Sequence, residues 1–119
     1  MNNPVPGKPV RGSKTGVPIM ALFDLLGRRW AMGMLWTLCQ EGPCTFRRLQ
    51  ELCDSVSPTL LNARLKDLRQ AGLVERAEGG YQATLCGQEL YGLLVPLGNW
   101  SKIWADRYNV PDLPASQQP

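Results

Sequence analysis

The spacing of apolar positions is most informative between Thr45 and Val74. Leu61, Leu65 and Leu68 recur at i, i+4 and i+7, one apolar stripe of a helix. Ser57 stands before that stripe as an N-cap whose hydroxyl accepts an orphan amide of the first turn. Pro58 falls at the first helical position, where its missing N–H costs nothing. Gly72 follows as a left-handed stop, and Leu73-Val74 reads as the start of a strand. At about 100° per residue, Thr59, Asn62, Lys66 and Arg69 gather opposite the leucines, with Ala63 among them. A shorter helix opens at Thr45, turns Phe46, Leu49 and Leu52 inward and shows Arg47 and Arg48 near its start. This is the layout of a helix-turn-helix whose second helix enters the DNA major groove. A plain helical pair with a solvated charged face fits the same stretch and stays open at this point.

Upstream, Ile19 to Leu26 is apolar almost all round, with Asp24 its only charge, and Trp30 to Cys39 repeats the demand for cover. In the second of these, Trp30, Met34, Leu35 and Leu38 share one face and Met32, Trp36 and Cys39 the other. Gly42-Pro43 ends it. Downstream, Leu73 to Arg76 and Tyr81 to Ala83 read as two strands joined through Gly79-Gly80. A helix-turn-helix followed by a hairpin is a winged helix. Thr84 then caps a long helix bearing Leu90, Leu93, Leu94, Leu97, Trp100, Ile103 and Trp104. Pro96 within it crowds the carbonyl of Gly92, so a kink or break is expected there. The fold class is mainly α with a small β-hairpin.

One small core does not absorb this much apolar surface, and a subunit interface is the economical explanation. The candidates are Ile19, Leu22, Phe23 and Leu26 at one end, and Leu97, Trp100 and Trp104 at the other.

Length and charge change the picture little. A chain of 119 residues suits one core. The net charge of +3 resides in Lys8, Arg11 and Lys14, leaving the remainder near neutral. The positive charge that matters is local, at Arg47, Arg48, Arg64, Lys66 and Arg69. Residues 1–18, rich in proline, glycine and cations, are expected not to pack and form a flexible basic tail. The alternative is an arm that follows the DNA backbone or minor groove. Residues 19–108 form the domain, and 109–119 a frayed C-terminal tail. No apolar run is long enough for a membrane span and no signal-type segment is visible, so a cytoplasmic, nucleoid-associated location is expected.

Histidine is absent, which removes the commonest general base and metal ligand. Cys39, Cys44, Cys53 and Cys86 show no zinc spacing and read as small buried hydrophobes. Among them, Cys44 in a turn and Cys86 in the first turn of the last helix are the thiols placed to react. No nucleophile–base pair or phosphate loop is visible; neither an enzyme nor a cofactor is expected.

Together, LFDLLGRRWAMGMLWTL, the TFRRL entry at Thr45, SPTLLNARLKDLRQAGLVER and TLCGQEL resemble the HxlR-type winged helix-turn-helix transcriptional regulators, relatives of the MarR group. The resemblance runs from about Val17 to Tyr108. It implies a homodimer, held by its first and last helices, that binds operator DNA. Members often carry a cysteine before a proline near the N-terminus; here that place is Val17-Pro18, so thiol sensing there does not operate. The wing is also shorter than usual, with Arg76 flanked by Glu75 and Glu78, which weakens the case for minor-groove contact by it.

The expectation is therefore a regulator that binds double-stranded DNA at a pseudo-palindromic operator through Arg47, Arg48, Ser57, Thr59, Asn62, Ala63, Lys66, Arg69 and Arg76. Two other readings are a winged-helix module for protein partners and a sensor for a small-molecule or thiol-reactive effector.

Overall fold

The computed structural model describes residues 3–9 and 16–108. Its elements run α1 (Pro18–Leu26), α2 (Ala31–Glu41), α3 (Phe46–Leu52), α4 (Pro58–Gln70), β1 (Val74–Ala77), β2 (Gly80–Ala83) and α5 (Leu85–Arg107). The strands pair antiparallel, Val74 opposite Ala83 and Ala77 opposite Gly80.

The helix signals act where the sequence places them. Thr45, Ser57 and Thr84 each accept an amide three residues on, from Arg48, Leu60 and Gly87, at 3.0, 3.2 and 3.0 Å. At the far end of α4, Gly72 N–H donates to the Arg69 carbonyl and Leu73 N–H to that of Leu68, at 3.0 and 2.9 Å. This pair of bonds is a Schellman stop. It also places Leu73 over Leu68, and both are buried. The Thr84 hydroxyl donates to the Gly72 carbonyl at 2.6 Å, so one side chain ties the end of α4 to the start of α5.

The core gathers Met34, Leu35 and Leu38 from α2, Leu49 from α3, Leu61, Leu65 and Leu68 from α4, and Val74 and Ala83 from the wing. On the far side of α2, Trp36 meets Tyr91 of α5 edge-on, ring centroids 5.0 Å apart.

Four local expectations are revised. Trp30 lies before α2, not within it, at φ 73°, a left-handed conformation costly for a bulky residue. The hairpin turns on Glu78-Gly79, with positive φ only at Gly79, while Gly80 begins β2. Gly80 is required for another reason. Tyr81 and Cys44 exchange backbone bonds at 2.9 and 2.8 Å, and any side chain at Gly80 would run into the Cys44 carbonyl. Pro96 does not break α5, which continues for 23 residues. Gly92 and Pro96 both lie on its exposed side, so the carbonyl freed there faces water. Finally, Asn3 and Pro4 are packed, the latter buried, against the expectation that residues 1–18 do not pack. The Asn3 side chain donates to the Asp67 carbonyl and accepts from Arg28 Nη1, both at 3.2 Å. Residues 1–2, 10–15 and 109–119 lie outside the described residues, and with them part of the expected N-terminal arm and all of the expected C-terminal tail.

Candidate nucleic-acid interface

The turn between α3 and α4 is built without glycine. Asp54 and Ser55 both adopt φ 55°, in the left-handed region that a short polar side chain tolerates best. Gln50 fixes this turn from α3: its carbonyl accepts from Ser55 N–H and its side-chain amide donates to the Val56 carbonyl, each at 2.9 Å. The second helix is thereby launched at a set angle from the first. Gln50 was not singled out by sequence, because only the closed turn shows what its amide meets.

With Leu61, Leu65 and Leu68 driven into the core, the opposite face of α4 has to look outward. Thr59, Asn62, Ala63, Lys66 and Arg69 are all exposed, within an arc of roughly 120°. Neither Lys66 nor Arg69 makes an ion pair among the described residues. Ser57 is exposed at the N-terminus of α4 while serving as its cap. From α3, Arg47 and Arg48 are exposed, and Arg48 lies 3.6 Å from Glu51. These residues belong to the two helices of one motif. Arg76 stands apart on the wing, exposed, with its guanidinium carbon 5.6 Å from the centre of the Tyr81 ring. Its strand neighbour Glu75 accepts from Gln82 at 2.8 Å.

One flank of α4 is engaged within the chain. Arg64 lies 2.7 Å from Asp67 and donates through Nε to the Arg29 carbonyl at 2.9 Å. Arg28, in the turn after α1, approaches Asp67 to 3.0 Å and Asp24 to 3.9 Å. Arg64 therefore does not belong with the outward cations its composition suggested. Its i, i+3 spacing to Asp67 was a signal for that; the 39-residue separation of Arg28 from Asp67 was not.

The expected subunit surface is divided. Ile19, Phe23, Leu97, Trp100 and Trp104 are exposed, Leu22 is half-buried, and Leu26 is buried in this chain's own core. Trp100 and Trp104 stack with ring centroids 6.5 Å apart, and Tyr108 meets Trp104 at 6.0 Å.

The thiols separate just as clearly. Cys53 and Cys44 are buried, Cys39 is half-buried, and burial pushes all three up from the ordinary thiol range. For Cys44, singled out as placed to react because it lies in a turn, the bridge to Tyr81 closes the turn over it and the thiol is buried. Cys86 is exposed on the first turn of α5. Among the described residues no cluster suited to a metal ion is present, and no helix is long and apolar enough to cross a membrane.

Residues 25–109 match the HxlR-like helix-turn-helix family. The HTH-type transcriptional regulator YodB of Bacillus subtilis is 39% identical over 54 residues, covering 45% of this chain and 47% of that protein. In that match the chain thus spans about half the length of its relative. YybR of the same organism, also an HTH-type transcriptional regulator, is 24% identical over 102 residues, covering 80% of this chain and 81% of YybR. The crystal structure of quinone-bound YodB superimposes with a TM-score of 0.62 at 31% identity, over 75% of this chain and 96% of that one. A possible HxlR family transcriptional factor from Thermoplasma volcanium gives 0.62 at 30% identity, over 72% and 82%. Matched along most of its length by both the family and winged helix-turn-helix structures, the chain belongs to the HxlR-like helix-turn-helix family of DNA-binding transcriptional regulators.

Proposed function

We propose that the chain acts as a homodimer on a pseudo-palindromic operator, each α4 lying in one major groove. The observation that carries this reading is the divided surface of α4, leucines covered and Thr59, Asn62, Ala63, Lys66 and Arg69 open to solvent. Asn62 pairs with adenine through its amide, a bidentate contact worth roughly 1–3 kcal/mol of discrimination. Lys66, Arg69, Arg47 and Arg48 meet phosphates, which set affinity and register but not sequence. Ser57, at the N-terminus of α4, holds its first turn against the backbone. Arg76 has a lesser part, since the short wing carries acids on both sides of it. Residues 19–108 are the working unit, acting on the chromosome in the cytoplasm.

The dimer rests on the exposed faces of α1 and α5, with Ile19, Phe23, Leu97, Trp100 and Trp104 as its anchors. One recognition helix reads too few base pairs to select a site from a genome. Two copies about a two-fold axis read half-sites with centres about one helical turn, or a multiple of it, apart. The quinone-bound state of YodB favours a small-molecule effector for this chain too.

Gel shift against fragments of the neighbouring genomic region identifies the operator, and fluorescence anisotropy then separates the roles. Asn62→Ala relaxes sequence preference. Lys66→Ala weakens binding to all sequences alike and lowers the salt slope by about one. If both leave binding unchanged, α4 is not the reader.

A further inference from the structure

Between residues 3–9, the inner side of α1 and the C-terminal end of α4 lies a cavity of about 470 Å³. This falls within the roughly 300–1,000 Å³ of ordinary small-molecule sites. Its floor is the core itself, through Leu25 and Leu73, both buried. Pro4, Val5 and Pro6 form the opposite wall. Among the described residues, Asn3 and Gln70 are the only polar side chains in the lining, and none of those lining residues is charged. An ion would lose hydration there and meet no opposite charge among the described lining residues, whereas apolar surface would gain by burial. The site is distinct from the exposed part of the surface assigned to the dimer: α1 turns Ala21, Leu25 and the half-buried Leu22 toward the cavity and Ile19 and Phe23 away from it.

The wall is tied to the recognition helix. Asn3 bonds both Arg28 and the Asp67 carbonyl at 3.2 Å, and Arg28 and Arg64 converge on the Asp67 carboxylate at 3.0 and 2.7 Å. Asp67 directly follows Lys66 on α4. Farther along, the Gly7 N–H donates to the Gly16 carbonyl at 3.0 Å and pins the segment to the chain entering α1. Anything that moves Asn3–Pro6 away from α1 therefore acts first on Arg28 and Asp67. We propose that this cavity binds a small, uncharged, largely apolar molecule with one hydrogen-bonding group, and that the Asn3–Arg28–Asp67 contacts pass its occupancy to α4. The regulatory half of this inference rests on the DNA-reading function proposed above; the binding half does not.

The test uses the full chain labelled with ¹⁵N, titrated to millimolar with 2-naphthol, indole and 1-hexanol, and with naphthalene-2-sulfonate as the charged counterpart. The neutral probes should shift the amides of Ala21, Leu25, Ala71 and Leu73, and the sulfonate should not. Ala71→Phe, which fills the cavity, should weaken that binding by roughly tenfold or more. Should it fail to fold, as circular dichroism would reveal, Gln70→Trp at the exposed rim obstructs the same space. Absence of shifts with all three neutral probes overturns the site. So do shifts confined to α5, or equal binding of the sulfonate. For the regulatory half, bound probe should change operator affinity in the unmodified chain and less so in Asn3→Ala. An unchanged affinity overturns the coupling alone, and a chain that binds no operator overturns the DNA-reading function while the NMR result stands.

Discussion

Helix α4 and the second half of α5 both carry strong apolar stripes, and the stripes meet opposite fates. In α4 the leucines are covered completely, Leu65 being only 2% exposed, and the polar face is left over as the surface that matters. In α5 only Gly87 is buried, while Leu93 stays 73% exposed and Trp104 49%. One chain therefore covers the apolar face of α4 but not that of its last helix. Polar outward positions on a helix whose apolar face is satisfied point to a ligand. Apolar outward positions on the face of α5 away from α2 point to another hydrophobic surface, and the proposed second copy would supply one of matching character.

The sharpest way to break this comparison is to truncate one side chain in each helix. Leu65→Ala leaves a cavity in the core and should cost about 2–5 kcal/mol of folding stability, read as a lowered urea midpoint. Trp104→Ala should scarcely move that midpoint at low protein concentration. It should instead weaken the dimer by roughly 2 kcal/mol or more, about thirtyfold in dissociation constant, and operator binding with it. Analytical ultracentrifugation decides the second case. A clean monomer of the unmodified chain at micromolar concentration that still bound operator tightly would sink the dimer.

The sequence shows the two helices unequally well for physical reasons. Caps and stops are local signals, so Thr45, Ser57, Thr84 and Gly72 mark their helix ends correctly. The period of the α4 leucines also identifies the outward residues. What escapes is whatever depends on distant backbone. Cys44 is buried because Tyr81 bridges across it, and Gly80 is held free of a side chain by the same approach. The pairing of Arg28 with Asp67, and the seating of Asn3 on both, join segments that no periodicity links. Proline at position 96 signals a break, yet a helix tolerates it where the freed carbonyl faces solvent.

A smaller effect comes from the thiols, which divide along the same line as the two helices. Cys53 and Cys44 lie under the covered region, Cys86 on the open start of α5. Mass spectrometry after brief maleimide treatment should find Cys86 labelled first, with Cys53 and Cys44 labelled at the rate of unfolding. The buried thiols also make stability depend on pH. Burial raises their folded pKa, so the unfolded chain gives up its protons first, near the ordinary value of about 8.5. Their contribution is complete below that pH and is lost as pH rises through the folded values. The urea midpoint should accordingly fall above neutrality, and Cys53→Ala should flatten that fall. Equal labelling of all four cysteines would show the core to be more open than the α4 side of the comparison requires.

The smallest effect tests whether the outward cations of the motif are held by the fold or available to a ligand. Arg48 and Glu51 approach to 3.6 Å with side chains 55% and 57% exposed. An ion pair this open is worth about 0–1 kcal/mol, and salt screens it. Glu51→Gln should leave the urea midpoint almost unchanged. For DNA the same substitution removes a negative charge beside the arginines proposed to meet phosphates, so operator affinity should rise by a small factor, most visibly at low salt. Arg48→Gln should also spare stability but weaken operator binding and lower the salt slope by about one, as loss of a single phosphate contact requires. A Glu51→Gln variant destabilised well beyond 1 kcal/mol would make the pair a structural bond. An Arg48→Gln variant with an unchanged salt slope would remove Arg48 from the DNA surface and leave the face of α4 to carry it.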